Sequence, residues 1–293
     1  MPIDLSSVLS FPARNVVTKA RRALMISALA TAALAGAGCL SARAEDPDIS
    51  SRRAAEQTDF TNEEIREGFF KIAFGAELQI DKPARRVRKF DEPVRIFVDA
   101  AGALERRNEL ARVVADIRSR VNHLDIDLTI DRRAANLVVR LVPEHRLKST
   151  IRALYGSKRA KQIQQKLSPE CLSGIGKDES FRIRRAEVIL PVDAGDFTFY
   201  DCAYEELLQA LGAINDDTSV PWTMFNDNVQ MGFFDVYDQY LLNILYDPRI
   251  TAGMTRDEVD AVLPDILLST RKWVREINPS RRAASENSPV DRN

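Results

Sequence analysis

Histidine is almost missing from this chain: 293 residues hold two, His123 and His145. That leaves no set of imidazoles for a histidine-built metal centre. Cysteine is nearly as scarce, with Cys39, Cys171 and Cys202 and no CxxC spacing. Zinc-ribbon and thioredoxin-like motifs are thereby excluded. There is no G-x-S-x-G elbow and no Walker loop. Ser-His-Asp chemistry would have to draft one of two remote histidines. Neither sign of charge is in excess: 42 basic residues face 43 acidic ones, a net charge of −1. Nothing in that balance points to nucleic acid. There is no internal repeat. The chain is long enough for one large domain or two small ones, and its 45% apolar content allows an ample core.

Long apolar runs are also lacking, with one partial exception. Lys19, Arg21 and Arg22 precede an apolar run from Ala23 to Gly38, followed by Ala42-Arg43-Ala44. A positive flank, an apolar run and a small-x-small site make an export signal over 1–44. The run falls short of the roughly 20 residues that a bilayer core requires, so no stable membrane span is expected after cleavage. Cleavage after Ala44 would remove five of 42 basic residues and one of 43 acidic ones, leaving a net charge of −5. The protein is then periplasmic or secreted. The alternatives are lipid attachment at Cys39, which lacks the usual upstream leucine, and a twin-arginine signal at Arg21-Arg22. Cleavage would leave Cys171 and Cys202, and two cysteines in an oxidising compartment are expected to pair. Two buried free thiols, or a zinc site on two lone cysteines, are the rival readings.

Residues 45–58 are polar without hydrophobic period and read as a flexible linker; 59–278 read as the folded domain and 279–293 as a disordered tail. Thr61-Asn62-Glu63-Glu64 and Thr255-Arg256-Asp257-Glu258 are capping boxes that open helices. The second helix should break or restart at Pro264. VRIFVD from Val94, LDIDLTI from Leu124 and NLVVRLV from Asn136 read as strands. A helix lies between the first two, from Leu104 to Val121, and a basic one follows from Ser149 to Leu167. Residues 168–180 read as a loop. EVILPV from Glu187 reads as a strand, placed at a sheet edge because Pro191 cannot donate to a ladder. Early strands and late helices predict an α+β fold with a mixed, twisted sheet and a mainly helical C-terminal part.

The helix around CAYEELLQALGAIND, from Cys202, has the spacing of the zinc-protease pattern H-E-x-x-H-x-x-G-x-x-H. Tyr204, Leu208 and Leu211 share a face that should be core. The two histidine positions hold Glu205 and Gln209, and the third holds Asn215. Glu206 stands at the base position. One carboxylate and two amides would hold zinc poorly, and they supply too few oxygens for calcium. No metal or other cofactor is expected.

KFDEPVRIFVD from Lys89, ANLVVRLV from Ala135, SPECL, the helix segment, PWTMFND from Pro221 and LLNILYDPRITAGMT from Leu241 together resemble the bacterial family catalogued as domain of unknown function 2927. That family resembles the zinc metallopeptidases called zincins. The resemblance implies a zincin-like domain with a degenerate metal site. It places Met224 at the methionine-turn position and makes EVILPV the strand that would align a peptide. Glu206, Gly212 and, more loosely, Met224 match the expected set. Without zinc a glutamate has no polarised water to deprotonate. The expectation is therefore an exported envelope protein with a binding or scaffold role and a peptide or protein partner. In its place, Gln209 and Asn215 could exchange amide hydrogen bonds with each other or with Glu205. The alternative is a metal-dependent hydrolase with atypical oxygen ligands around Glu205, Glu206 and Asn215, aided by Asp216 or Asp217.

Overall fold

A computed structural model describes residues 45–75, 85–100, 104–166 and 170–279. The segment read as an export signal, with Cys39 and the expected cleavage site, and the tail beyond 279 lie outside the described residues. The described residues form an α+β fold with one five-stranded sheet and seven α-helices. The helices are α1 (Pro47–Ala55), α2 (Asn62–Ala73), α3 (Leu104–Arg120), α4 (Leu147–Lys166), α5 (Asp196–Ala210), α6 (Val236–Tyr246) and α7 (Arg256–Ile277). The strands are β1 (Val94–Asp99), β2 (Ile126–Thr129), β3 (Leu137–Val142), β4 (Leu172–Lys177) and β5 (Ile183–Pro191).

The sheet order is β2-β1-β3-β5-β4, with β4 alone antiparallel to its neighbour. Alternation along the strands divides the two faces. Ile96, Val139 and Val188 enter the main core with α2, α3, α5 and α6. The opposite face carries charge on its central strands, where Arg140 reaches Asp99 at 2.9 Å and Glu187 at 3.1 Å. Towards β4 the same face is covered by α4, whose Leu147, Ile151 and Ile163 pack on Leu172 and Ile189.

Both capping boxes form, and α2 and α7 begin where they predict. Helix α7 does not break at Pro264. Leu263, Ile266 and Leu267 are buried around the proline, while Pro264 itself is exposed. The lost hydrogen bond therefore falls on the solvent side, and packing outweighs the roughly 3 kcal/mol that an interior proline costs. Residues 45–58 are not a linker. They carry α1, which buries Ile49, stacks Arg53 on Phe233 at 4.2 Å and donates from Arg52 to the Gln230 carbonyl at 2.6 Å.

The edge strand is also not the expected one. Strand β5 is interior, between β3 and β4, and the edge is β4, within the segment read as a loop. Pro191 is tolerated for a geometric reason. Ala186 and Val192 donate towards β3, to Asn136 and Val142. By alternation the Pro191 nitrogen faces the β4 side, where pairing already ends at Ile189.

Cys171 and Cys202 form a disulfide with a Cα–Cα distance of 5.9 Å. It ties the start of β4 to α5. Closing a loop of 31 residues' separation stabilises by about 3–4 kcal/mol in the chain-entropy model. Cys202→Ser should lower the unfolding free energy by about that amount in urea titrations. Reductant should destabilise the wild type and leave the variant unchanged.

Candidate functional site

Helix α5 lies under β4 and β5. Tyr204, Leu208 and Leu211 are buried as their spacing requires, and the Tyr204 hydroxyl donates to Asp116 at 3.1 Å. Glu205 is half-buried. Glu206, at the base position, is only 6% exposed, so it does not face water as adjacent glutamates commonly do.

Gln209 is 7% exposed, and both ends of its amide are engaged. Its Oε1 accepts from the Ser173 hydroxyl of β4 at 3.1 Å. Its Nε2 donates to Asp216 Oδ1 at 2.9 Å. Burial pushes the Asp216 carboxyl up to about 6, and the negative charge of Asp227 adds to the effect, while the Gln209 bond opposes it. A phenol lies within electrostatic reach of Glu206. The Tyr155 hydroxyl of α4 has no hydrogen-bond partner among the described residues. Burial, then the Glu187 and Glu206 carboxylates, push that phenol up to about 12.

Gly212 turns the chain away from α5 at φ +123°, with the Arg88 carbonyl 2.1 Å from where a Cβ would stand. Only glycine fits there. The turn delivers Asn215 elsewhere than expected. Asn215 Nδ2 donates to the Lys71 carbonyl at 2.9 Å, and its backbone N–H to Ile72 at 3.2 Å. It thus satisfies the last carbonyls of α2. Gly75 leaves room for it: a Cβ there would come within 2.1 Å of the Asn215 side chain. Gln209 and Asn215 therefore do not exchange bonds; Gln209 pairs with Ser173 and Asp216.

Met224 is buried in a turn held from α6. The Asp238 carboxylate accepts from Thr223 Oγ1 at 2.5 Å and from the Met224 N–H at 2.8 Å. Asp235, which caps α6 by accepting from the Asp238 N–H at 3.0 Å, is equally buried. Burial, then the nearby Asp238 charge, push the Asp235 carboxyl well above its ordinary value. Burial raises Asp238 as well, against the bonds it accepts from Thr223 and the Met224 N–H, so the pair holds a proton more tightly than two exposed carboxyls would.

Neither histidine joins α5. His145 lies exposed in the 3-10 turn Glu144–Arg146. His123 follows α3 and lines a cleft of about 600 Å³ with Lys89, Asp125 and Pro248. Lys89 is buried there, donating to the carbonyls of Leu245 and Ile250 at 2.7 and 3.0 Å, and desolvation lowers it to about 8. Among the described residues, no three His, Cys, Asp or Glu side chains gather into a group able to hold a metal ion. The α5 set does not fit zinc: at the second ligand position an amide N–H faces a carboxylate, with no lone pair to offer.

Ser173, Asp235 and Asp238 are the residues that sequence reasoning missed. An aspartate just before a helical run was a legible capping signal for Asp235. Ser173 offered none, since its role depends on a contact across 36 residues.

Fold and site define an α+β protein whose central helix, beneath an antiparallel edge strand, carries an amide–carboxylate cluster. The chain matches the family described as "Protein of unknown function (DUF2927)" over residues 62–265 and belongs to it. No curated protein and no solved structure matches it.

Gln209→Ala should destabilise by about 1–3 kcal/mol in urea, because Ser173 and Asp216 each lose a buried partner. Asp235 yields a pH test. Its folded value lies above the ordinary 3.8, so the folded state holds the extra proton. Its contribution is complete below 3.8 and is lost as pH rises through the folded value. Asp235→Asn keeps the cap acceptor and donates an N–H to Asp238 at every pH. Denaturation at stepped pH should show wild-type stability falling with rising pH relative to this variant.

Proposed function

We propose that this chain is an exported cell-envelope protein that binds an extended peptide on a zincin-like scaffold and does not hydrolyse it. The observation that carries this reading is the engagement of Gln209: the side chain at a ligand position is bonded to the edge strand on one side and to Asp216 on the other. A brace of oxygen and nitrogen groups occupies the place where a metallopeptidase would need imidazoles. The mixed sheet with its single antiparallel edge strand above α5, the Gly212 turn and the buried Met224 all support the zincin-like scaffold. Export is supported by the basic flank, apolar run and small-x-small site before Glu45, and by the Cys171–Cys202 disulfide.

Strand β4 is suited to pairing. Its residues Leu172 and Gly174 face Ile189 and Glu187 in the ladder, so Ser173 and Ile175 turn their N–H and C=O groups to the open edge. Gly174 and Gly176 put no side chain in the way. An added peptide strand would take its affinity from main-chain bonds along that edge.

One observation favours a hydrolase instead. A carboxyl near 6, as Asp216 has, is tuned for proton transfer close to neutral pH, and its partner Gln209 lies one turn after buried Glu206 on α5.

A peptide library probed with the purified protein separates the two. Retention of intact peptides is expected, with Ile175→Pro abolishing it by removing an edge N–H that the sheet does not use. A thermal melt shows whether that variant is folded. Glu206→Gln should bind as the wild type does. Peptide cleavage that disappears in Glu206→Gln, or stoichiometric transition metal that is lost in Glu205→Ala, would overturn the proposal.

A further inference from the structure

Helix α4 contains no aspartate or glutamate over its 20 residues. Arg146 just before it, and Lys148, Arg152, Lys158, Arg159 and Lys161 within it, are all exposed. Among the described residues none of the six is in an ion pair. Several arginines elsewhere are neutralised: Arg66, Arg95, Arg140 and Arg184 each hold a carboxylate within 3.1 Å. The contrast matters because the whole chain is almost neutral, at −1. Positive charge has been gathered on one helix and left without counter-charge.

The helix is held so that these cations face outward. Its apolar residues Leu147, Ile151, Ala160 and Ile163 are already buried against Leu172 and Ile189. A bend at Gly156, where φ is +75°, lets both halves keep that contact. The helix would extend about 30 Å at 1.5 Å per residue, less what the bend removes. The cations are spread along that length, so the face suits an extended anionic surface rather than one small anion. Tyr155, the aromatic residue of the helix, has its ring under Arg159 at 5.9 Å and its hydroxyl turned towards Gly174, so it is not held out for a base to stack on. No apolar residue is left free to insert between acyl chains.

We propose that α4 is a peripheral docking face for a bilayer rich in anionic headgroups, held by charge alone. Attraction of this kind is additive at roughly fivefold in affinity per Lys or Arg near the surface and fades with added salt. The face lies on the side of the sheet opposite α5, so the proposal stands whether or not the α5 site binds a peptide.

The test is co-sedimentation of the full chain with vesicles of phosphatidylcholine alone and of an equal mixture with phosphatidylglycerol. The readout is how far the preference for anionic vesicles depends on α4, because the lipid affinity of the apolar run from Ala23 to Gly38 and of its basic flank Lys19, Arg21 and Arg22 is the same in wild type and variant. Stronger binding to the anionic vesicles is expected, falling as salt is raised. In the variant carrying Lys148→Gln, Arg152→Gln, Lys158→Gln and Lys161→Gln, the difference should drop by at least tenfold. All four positions are exposed, so the variant should melt as the wild type does. Equal binding to both vesicles, or an undiminished difference in the variant, would overturn the proposal. So would tighter binding to duplex DNA or to polyglutamate than to the anionic vesicles, which would assign the face to another class of partner.

Discussion

A helix buried on every side cannot use water to satisfy its polar groups, and α6 is such a helix. Every residue from Val236 to Tyr246 is buried, and Asp238, Gln239 and Asn243 are among them. Each must find a partner in the protein, and those partners place the surrounding elements. Asn243 donates to the Arg120 carbonyl and accepts from the Asn122 N–H, which fixes the end of α3. Gln239 accepts from Asn278, which fixes the end of α7. Asp238 gathers the Thr223 hydroxyl and the Met224 N–H, which fixes the turn that follows the site. A proton held on the Asp235–Asp238 pair is what allows negative charge to remain there at all. Two bare carboxylates so close, without solvent, would repel by far more than their hydrogen bonds return.

The same accounting governs α5. Glu206 and Gln209 face inward, beneath a strand and not towards solvent. An inward amide is stable only if both its oxygen and its nitrogen are used. Ser173 supplies one partner and Asp216 the other. The Cys171–Cys202 disulfide holds that arrangement from the side, since it anchors the start of β4 two residues before Ser173. Covalent and hydrogen-bonded ties thus meet across the same strand–helix junction. Side-chain bonds tie the helix to its surroundings, and the edge strand is fixed in place with its outer groups still open.

What could be read from the sequence follows the range of the interactions. Both capping boxes are local, and α2 and α7 start where they should. β1 and β3 announce themselves by alternation, and the buried face of α5 by its helical spacing. β4 did not. LSGIGK has two glycines and no apolar alternation strong enough to count, and it is a strand because β5 pairs with it. That missed strand displaced the edge assignment onto β5, where Pro191 offered a sound local reason for a wrong global placement. The α1 segment has one apolar anchor, Ile49, and its order comes from Arg52 and Arg53 meeting a loop some 180 residues away, as the Arg52–Gln230 separation of 178 shows. Asn215 had the right spacing for a third ligand. The turn at Gly212 sent it to the end of α2, a destination that no spacing rule could give.

The two faces of the β4–β5 end of the sheet differ in kind, and the difference follows from what each helix gives up. Helix α5 buries polar groups inward and so must supply a closed set of partners beneath the edge strand. Helix α4 buries aliphatic side chains and the Tyr155 hydroxyl, and among the described residues none of its cations is in an ion pair. A fold needing those cations for stability would have set carboxylates near them, as it does for Arg140 between Asp99 and Glu187. Keeping six like charges unneutralised on one helix works against stability through mutual repulsion. Among the described residues nothing offsets that cost; the docking proposed above would. The open edge of β4 lies between the two helices. A protein resting on α4 would therefore still present that edge to a peptide arriving from the side.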